Sequence, residues 1–337
     1  SDRARCWVIA ADHPSFLMRG QHQYVPVLQY AAQRAVEVAA DGFTYDEPRY
    51  LSDPLPETFA GWVRDYRVAL DRGEDVYLSV DIETPGKQKT DEDTLAREDD
   101  DDYIILRCGF AFRPGEAVSI PWSAAYMPAV EELLGDVRNR LVGWNFNYDG
   151  PRLRHQLTVR GEVHDGMIAW HLLNSALDKR LGFVTPFYVK NARMWKHLSG
   201  SQPAYYNAAD ADMALRNYLG IRRDLATQQQ LPVFQRHIID LHRVTDHMSA
   251  IGVKRDEVMR REAEIALTEQ LQAVETAMDA AIPVEARREQ IYKTKPRDLT
   301  GVLERTVQVP TRVCSACGIV KPNKPHFRQL KRPTANK

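Results

Sequence analysis

Two carboxylates at the end of one apolar run are the first residues whose types and spacing indicate chemistry. Asp81 and Glu83 close the run 76–83, and because side chains alternate along a strand, the two share one face. Neighbouring acids repel each other unless a cation lies between them, and Mg²⁺ and Mn²⁺ prefer oxygen ligands. The pair therefore indicates a divalent-metal site, with a solvated strand end as the alternative.

A second polar pair stands where an apolar strand at 141–144 gives way to a helix. Asn145 and Asp149 would lie at the carboxyl end of that strand, which is where open α/β sheets bind ligands. Asn145 can equally be a helix cap, and Asp149 a charge that the helix dipole favours. Both interpretations stay open on this motif alone.

A third pair is spaced for one face of a helix. Tyr206 and Asp210 are one turn apart and would lie one above the other, although Tyr206 alone is equally typical of a core tyrosine. Asp212 points elsewhere on such a helix. We expect it to be solvent-facing or structural and do not count it as a metal ligand.

Together the three motifs are far more specific than any one of them. In this order they resemble the motifs of the DEDDy 3′–5′ exonucleases: Asp81-Ile-Glu83-Thr, Asn145-x-x-x-Asp149 and Tyr206-x-x-x-Asp210. Over about residues 76 to 230 the sequence is similar to the proofreading domain of family A DNA polymerases, the bacterial DNA polymerase I group and its phage relatives.

The resemblance implies a site with two Mg²⁺ or Mn²⁺ ions, which supports in-line attack of water on a phosphodiester. Asp81 would bridge both ions, and Glu83 and Asp210 would complete the first. Asp149 would hold the second ion through water.

The resemblance also implies roles for two neutral residues. Tyr206 would orient the attacking water, and Asn145 would help to bind the terminal nucleotide. The expected substrate is a single-stranded or frayed DNA 3′ end, presented by primer-template DNA, because that nucleotide must leave its duplex to reach the metals.

The elements that position these motifs can be read from hydrophobic patterns. Runs rich in β-branched and aromatic residues predict three antiparallel strands, and a fourth strand between helices is predicted to be parallel; they lie at 76–82, 103–112, 117–122 and 141–144. The predicted fold class is α/β: an RNase H-like mixed sheet with flanking helices, followed by a helical, thumb-like arm at 233–250 and 255–280.

The segment before the sheet has weaker patterns. We predict a short strand, a turn, a helix, a proline-studded connector and a second helix; these lie at 6–10, 13–15, 25–40, 48–56 and 58–70.

We divide the chain into five regions. They are a uracil-DNA glycosylase-like remnant (1–45), a linker and helix (46–75), the exonuclease domain (76–230), the start of a polymerase thumb (231–282), and a basic tail with a Cys-x-x-Cys pair (283–337). The first region resembles the last motif of the glycosylase superfamily, in which the histidine matching His13 contacts uracil. The rest of such an enzyme is missing, so we expect no glycosylase activity, and a plain His-Pro turn is an equal alternative.

The thumb-like resemblance ends near Asp256. The palm and fingers do not fit in the 81 residues that follow (337 − 256), so we expect a polymerase fragment that cannot extend a primer. Its palm and fingers would belong to the parent protein or to a separate chain.

The tail holds half of a zinc-ribbon pattern. Cys314 and Cys317 form a thiolate knuckle, and His326 is a candidate third ligand. Structural zinc normally takes four ligands, and no fourth is obvious. The eight acids between Asp91 and Asp102 instead indicate a solvated loop, because clustered like charges repel.

Bulk composition limits the remaining interpretations. Forty-five basic and 46 acidic residues give no global positive field, so any nucleic-acid groove must be local. The four cysteines form no secreted framework, and no signal peptide or membrane span is apparent, so we expect a cytoplasmic protein with no membrane partner. An RNA-trimming exonuclease of the RNase D type and an inactive nucleic-acid platform are the competing functions.

Overall fold

The computed structural model describes residues 9–85, 103–281, 311–313 and 320–322. Its contacts divide the chain into two units, one ending at Gly252 and the other beginning at Val253. The predicted acidic run at 91–102 and the candidate zinc ligands Cys314, Cys317 and His326 lie outside the described residues.

The first unit is built on a six-stranded sheet with the order β1-β4-β3-β2-β5-β6. Its strands are β1 Arg49–Ser52, β2 Leu78–Glu83, β3 Arg107–Arg113, β4 Glu116–Pro121, β5 Arg140–Gly143 and β6 Glu162–Asp165. The pairs β2·β3 and β3·β4 are antiparallel, whereas β1·β4, β2·β5 and β5·β6 are parallel. The predicted RNase H-like mixed sheet is confirmed.

Helices flank this sheet. They are α1 Pro14–Met18, α2 Val25–Asp41, α3 Pro56–Asp71, α4 Met127–Leu134, α5 Phe146–Gln156, α6 Gly166–Leu173, α7 Leu181–Tyr188, α8 Pro203–Thr227, α9 Leu231–Val233 and α10 Ile239–Ile251. Short 3₁₀ turns occupy His22–Tyr24 and Lys196–Leu198, and a π-helical segment, Phe234–Ile238, joins α9 to α10.

Successive side chains of β2 point to opposite faces of the sheet, so its apolar residues and its acids lie on different faces. Leu78, Val80 and Ile82 are buried in a cluster with residues of α3 and α4 on one face of the sheet. Residues of α6 and α8 cover the other face. Because the side-chain period of a strand is two, Asp81 and Glu83 point toward the face covered by α8.

The predicted helices at 25–40 and 58–70 are confirmed as α2 and α3, and the four predicted strands are confirmed with shifted ends. Two strands were missed. The proline-studded connector contains β1, a short run that pairs with the edge of β4. The polar sequence of β6 lacks a strand pattern and becomes a strand by pairing with β5.

The predicted turn at 13–15 is wrong in one respect, because helix α1 begins at Pro14. The His13 side chain caps this helix, with its Nδ1 accepting from the Ser15 amide at 3.1 Å. Within the predicted strand 6–10, the described residues Ile9 and Ala10 are not in a strand.

The predicted separate arm is split between the two units. Helix α10 belongs to the first unit, where Ile239 and His242 are buried. The second unit contains helix α11, Glu257–Ala281, and an antiparallel pair of strands, β7 Thr311–Val313 and β8 Val320–Pro322. The thumb-like identity of these helices and the five-region division stay predictions. Within the described ranges, none of the helices combines the length and apolarity needed to cross a bilayer.

Candidate active site

Three of the predicted carboxylates meet between the end of β2 and helix α8. Asp81, Glu83 and Asp210 each bring one oxygen to within 4.8 Å of the others. Asp210 is only 4% exposed. The structure therefore brings together the carboxylates of the first and third motifs.

The fourth predicted carboxylate lies beside this cluster. Asp149 is on α5, the helix that follows β5, and is 4% exposed. Its charge is one of those that raise the pKa of Asp81, after burial and the charge of Asp210. The structure thus brings three carboxylates to one point and places Asp149 at its edge.

Burial and mutual repulsion make the carboxylates hard to ionise together. Burial is the main cause that raises the pKa values of Asp81 and Asp149, followed by neighbouring acids. The pKa of Glu83 rises to about 7, mainly through burial and then through the charge of Asp210. Because a divalent cation would offset this repulsion and prefers oxygen donors, the donor set fits Mg²⁺ or Mn²⁺.

A close approach between α8 and the sheet holds Asp81. Asn207 donates through Nδ2 to Asp81 Oδ2 at 2.8 Å and accepts from Ser119 at 2.6 Å. Gly109 pairs with Asp81 across β2 and β3, and a Cβ there would lie 2.6 Å from the backbone oxygen of Asn207. Glycine is therefore required opposite Asp81, because any side chain would push α8 away.

A second support fixes the turn that carries Asn145 and Asp149. Asn145 has a left-handed backbone (φ 69°), which asparagine tolerates better than most residues. The buried Asp165 carboxylate accepts from the amides of Asn145 at 3.2 Å and Phe146 at 2.7 Å. Asn145 stands at the helix N-cap but makes no side-chain cap bond, so its predicted capping role is not seen.

Tyr206 stands beside Asp210, as its helical spacing predicted. Burial is the main cause that raises the pKa of the Tyr206 phenol, followed by the charge of Asp210, so the hydroxyl keeps its proton near neutral pH. It can therefore donate a hydrogen bond as well as accept one.

Trp195 and Lys196, at the start of the 3₁₀ turn before α8, reach the same carboxylate. The Trp195 indole N–H and the Lys196 ammonium both donate to Asp210 Oδ1, each at 2.6 Å. Lys196 Nζ also lies 3.3 Å from the Tyr206 hydroxyl.

Asp212 belongs to a different environment, although it is only two residues from Asp210. It is fully buried and accepts from the Gly115 amide and the Tyr50 hydroxyl, each at 2.8 Å. The structural alternative for Asp212 is therefore correct, and the solvent-facing alternative is wrong.

Sequence reasoning missed Asn207, Asp165, Trp195 and Lys196. Asn207 directly follows Tyr206 of the third motif. Asp165 stands just before helix α6, where an aspartate is typical of an N-cap. Both residues could therefore have been noticed in the sequence. Lys196 and Trp195 lie outside the three motifs and reach Asp210 only through the fold.

The chain resembles several solved structures, each at low sequence identity. No known protein family and no curated protein matches it. Among solved structures, the polymerase domain of Pol1 from M. smegmatis, bound to DNA primer-template and dNTP, is 14% identical with a TM-score of 0.49. That match covers 85% of this chain, which spans only 46% of the polymerase domain.

Two further solved structures match smaller parts of the chain. Brucella melitensis NrnC with bound Mg²⁺ is 15% identical with a TM-score of 0.43, covering 54% of this chain and 89% of NrnC. Escherichia coli RNase D, an exoribonuclease involved in structured RNA processing, is 11% identical with a TM-score of 0.41, covering 63% of this chain and 52% of RNase D. Identities and TM-scores this low leave the function to be argued from the site.

Proposed function

We propose that the first unit is a divalent-metal-dependent 3′–5′ exonuclease that shortens single-stranded or frayed DNA from its 3′ end. One observation carries the proposal: Asp81, Glu83 and Asp210 bring oxygens to within 4.8 Å of one another, in a half-buried site. Asp149 completes the predicted set at the edge of this cluster.

The reaction is hydrolysis of the terminal phosphodiester. A water oxygen forms a new bond to phosphorus, and the bond to the 3′-oxygen of the preceding nucleotide breaks. One proton of the water ends on that 3′-oxygen, so the products are a nucleoside 5′-monophosphate and a strand shortened by one nucleotide. When bound by the carboxylates, divalent cations supply a more acidic water and charge neutralisation at the leaving oxygen.

The residues of the chain hold the reactants in place. Asp81, Glu83, Asp149 and Asp210 would hold the cations, and Asn207 fixes the orientation of Asp81 through its 2.8 Å hydrogen bond. Tyr206 orients the attacking water through its protonated hydroxyl. Asn145, at the end of β5, contacts the terminal nucleotide.

The role in a larger protein is a finer part of the proposal. The motifs and the thumb-like sequence after residue 231 support a proofreading role in a family A DNA polymerase, with the palm and fingers supplied elsewhere. An RNase D type activity on RNA is the competing outcome. Zinc binding by Cys314, Cys317 and His326 would be a separate structural property of the tail.

The test is digestion of matched 5′-labelled DNA and RNA oligonucleotides with Mg²⁺, Mn²⁺ or a chelator. We expect a ladder that shortens from the 3′ end by single nucleotides, requires metal, and forms faster on DNA. Asp81→Asn is the inactive control, because it keeps the side-chain size and removes the charge. Faster digestion of RNA would favour the RNase D type function, and no cleavage of either substrate would contradict the nuclease.

A further inference from the structure

Lys196 makes an ion pair with Asp210, one of the three carboxylates that meet at the end of β2. Its ammonium lies 2.6 Å from Asp210 Oδ1 and 3.3 Å from the Tyr206 hydroxyl. It also lies over two aromatic rings, 4.9 Å from the centroid of Tyr206 and 5.5 Å from that of Trp195. No sequence motif assigned a role to this lysine.

The two partners of this ion pair differ in their freedom to move. The Asp210 side chain is 5% exposed, whereas that of Lys196 is 36% exposed. A lysine has a flexible four-carbon stem, so its ammonium can leave Oδ1 while Asp210 stays in place. The rings of Tyr206 and Trp195 attract the ammonium and would keep it within the site after it leaves the carboxylate.

We infer that Lys196 has two successive roles: it neutralises Asp210 before metal binds, and it then supplies a positive charge to the phosphate under attack. The inference rests on the proposed exonuclease function. The Asp210 carboxylate cannot give the same oxygen fully to an ammonium and to a divalent cation, so metal binding weakens the ion pair. The released ammonium stays beside Tyr206, which is where the attacking water would be held.

The second role follows from the charge of the reaction. Negative charge develops on the phosphate oxygens as water attacks, and a cation held beside them by the two rings stabilises that charge more than it stabilises the bound substrate. Lys196 should therefore affect the rate of the bound complex more than the affinity for DNA. It is distinct from the carboxylates, whose role is to hold the metal.

The experiment compares Lys196→Gln, Lys196→Arg and a matched control, Lys190→Gln. Lys190 makes its ion pair with Glu37, so its loss removes the same charge outside the cluster. Mn²⁺ affinity is measured by calorimetry on the protein without DNA. The single-turnover rate and the KM are measured with a 5′-labelled DNA oligonucleotide at saturating Mn²⁺.

We expect Lys196→Gln to bind Mn²⁺ about 3- to 30-fold more tightly, because a competing positive charge a few ångströms away is removed. We also expect its single-turnover rate to fall about 10- to 100-fold with little change in KM. Lys196→Arg keeps the charge and should recover part of the rate. Lys190→Gln should match the wild type in both measurements.

The two measurements move in opposite directions only if both roles are real. A structural role would lower Mn²⁺ affinity together with the rate, and a role in competition alone would raise affinity and leave the rate unchanged; either result overturns the inference. If the wild type cleaves nothing, the proposed function fails, and the Mn²⁺ titration still decides whether Lys196 competes with metal.

Discussion

Asp210 and Asp212 lie two residues apart on helix α8 and are equally buried, at 4% and 0% exposed. Their surroundings differ. Asp212 accepts hydrogen bonds from the Gly115 amide and the Tyr50 hydroxyl, and Arg216 lies 3.6 Å away. Asp210 faces other acids and accepts hydrogen bonds from the indole N–H of Trp195 and the ammonium of Lys196.

The comparison separates two uses of a buried acid. Burying a carboxylate is costly unless other groups compensate its charge. Around Asp212 the compensation is built into the fold, so this acid stabilises the contact between α8, β1 and the β3–β4 turn. Around Asp210 much of it comes from the partly exposed ammonium of Lys196, which a divalent cation can replace. The neighbours, and not the degree of burial, distinguish the binding acid from the structural one.

The largest expected effect is the loss of activity in Asp210→Ala. This change removes a proposed metal ligand, so the single-turnover cleavage rate should fall by about 10³-fold or more, with poor rescue by Mn²⁺. The free energy of unfolding without metal should change little, because the relief of repulsion from Asp81 and Glu83 offsets the loss of the Trp195 and Lys196 hydrogen bonds. A variant that unfolds easily would show that Asp210 acts like Asp212.

Asp212→Ala should have the opposite profile. It leaves the Tyr50 hydroxyl and the Gly115 amide without their acceptor, and we expect the free energy of unfolding to fall by about 3 kcal/mol. Urea denaturation measures this loss. The cleavage rate per folded molecule should stay within several-fold of the wild type, and a 10³-fold loss would make Asp212 part of the site.

Tyr206→Phe tests whether the hydroxyl beside Asp210 takes part in cleavage. The change keeps the ring and removes only the hydroxyl, so cleavage should fall about 10²-fold, the contribution typical of one positioned proton-handling group. The affinity for Mn²⁺, measured by calorimetry, should stay close to that of the wild type. Cleavage at the wild-type rate under single-turnover conditions would reduce Tyr206 to core packing.

The smallest expected effect is on the pH dependence of stability without metal. The pKa of Glu83 is raised from 4.5 to about 7. The stability that this side chain contributes to the folded state is therefore fully present below pH 4.5 and is lost as the pH rises to about 7. For this half-buried side chain we expect the free energy of unfolding to fall by about 1 kcal/mol over that range, because solvent screens part of the effect. Thermal unfolding at pH 4.5 to 8 measures the total loss of stability, to which Asp81 and Asp149 also contribute, and Glu83→Gln should make that loss smaller. An unchanged slope in Glu83→Gln would contradict this assignment.

The sequence predicted the parts of the site that depend on short spacing. The strand period placed Asp81 and Glu83 on one face, and the helical period placed Tyr206 beside Asp210. The apolar runs that became β2 to β5 were strong enough to be recognised alone. The order of the three motifs carried the information that these separate pieces meet.

The missed parts depend on tertiary approach. β1 and β6 have weak patterns and become strands through their partners β4 and β5. The direction of Asp212 was ambiguous because α8 is buried on most sides. The reach of Lys196 to Asp210 depends on where the segment before α8 folds back, which no local pattern specifies.

Asp165 has a further consequence for motion. Its carboxylate accepts hydrogen bonds from the backbone amides of Asn145 and Phe146 at the start of α5. It also accepts hydrogen bonds from the amides of Met167 and Ile168 at the start of α6. One side chain thus joins the first turns of two helices, and these four amides should be released to solvent in one cooperative opening. Asp149 lies in the first turn of α5, so this junction should keep the helix that carries Asp149 in place between successive rounds of cleavage.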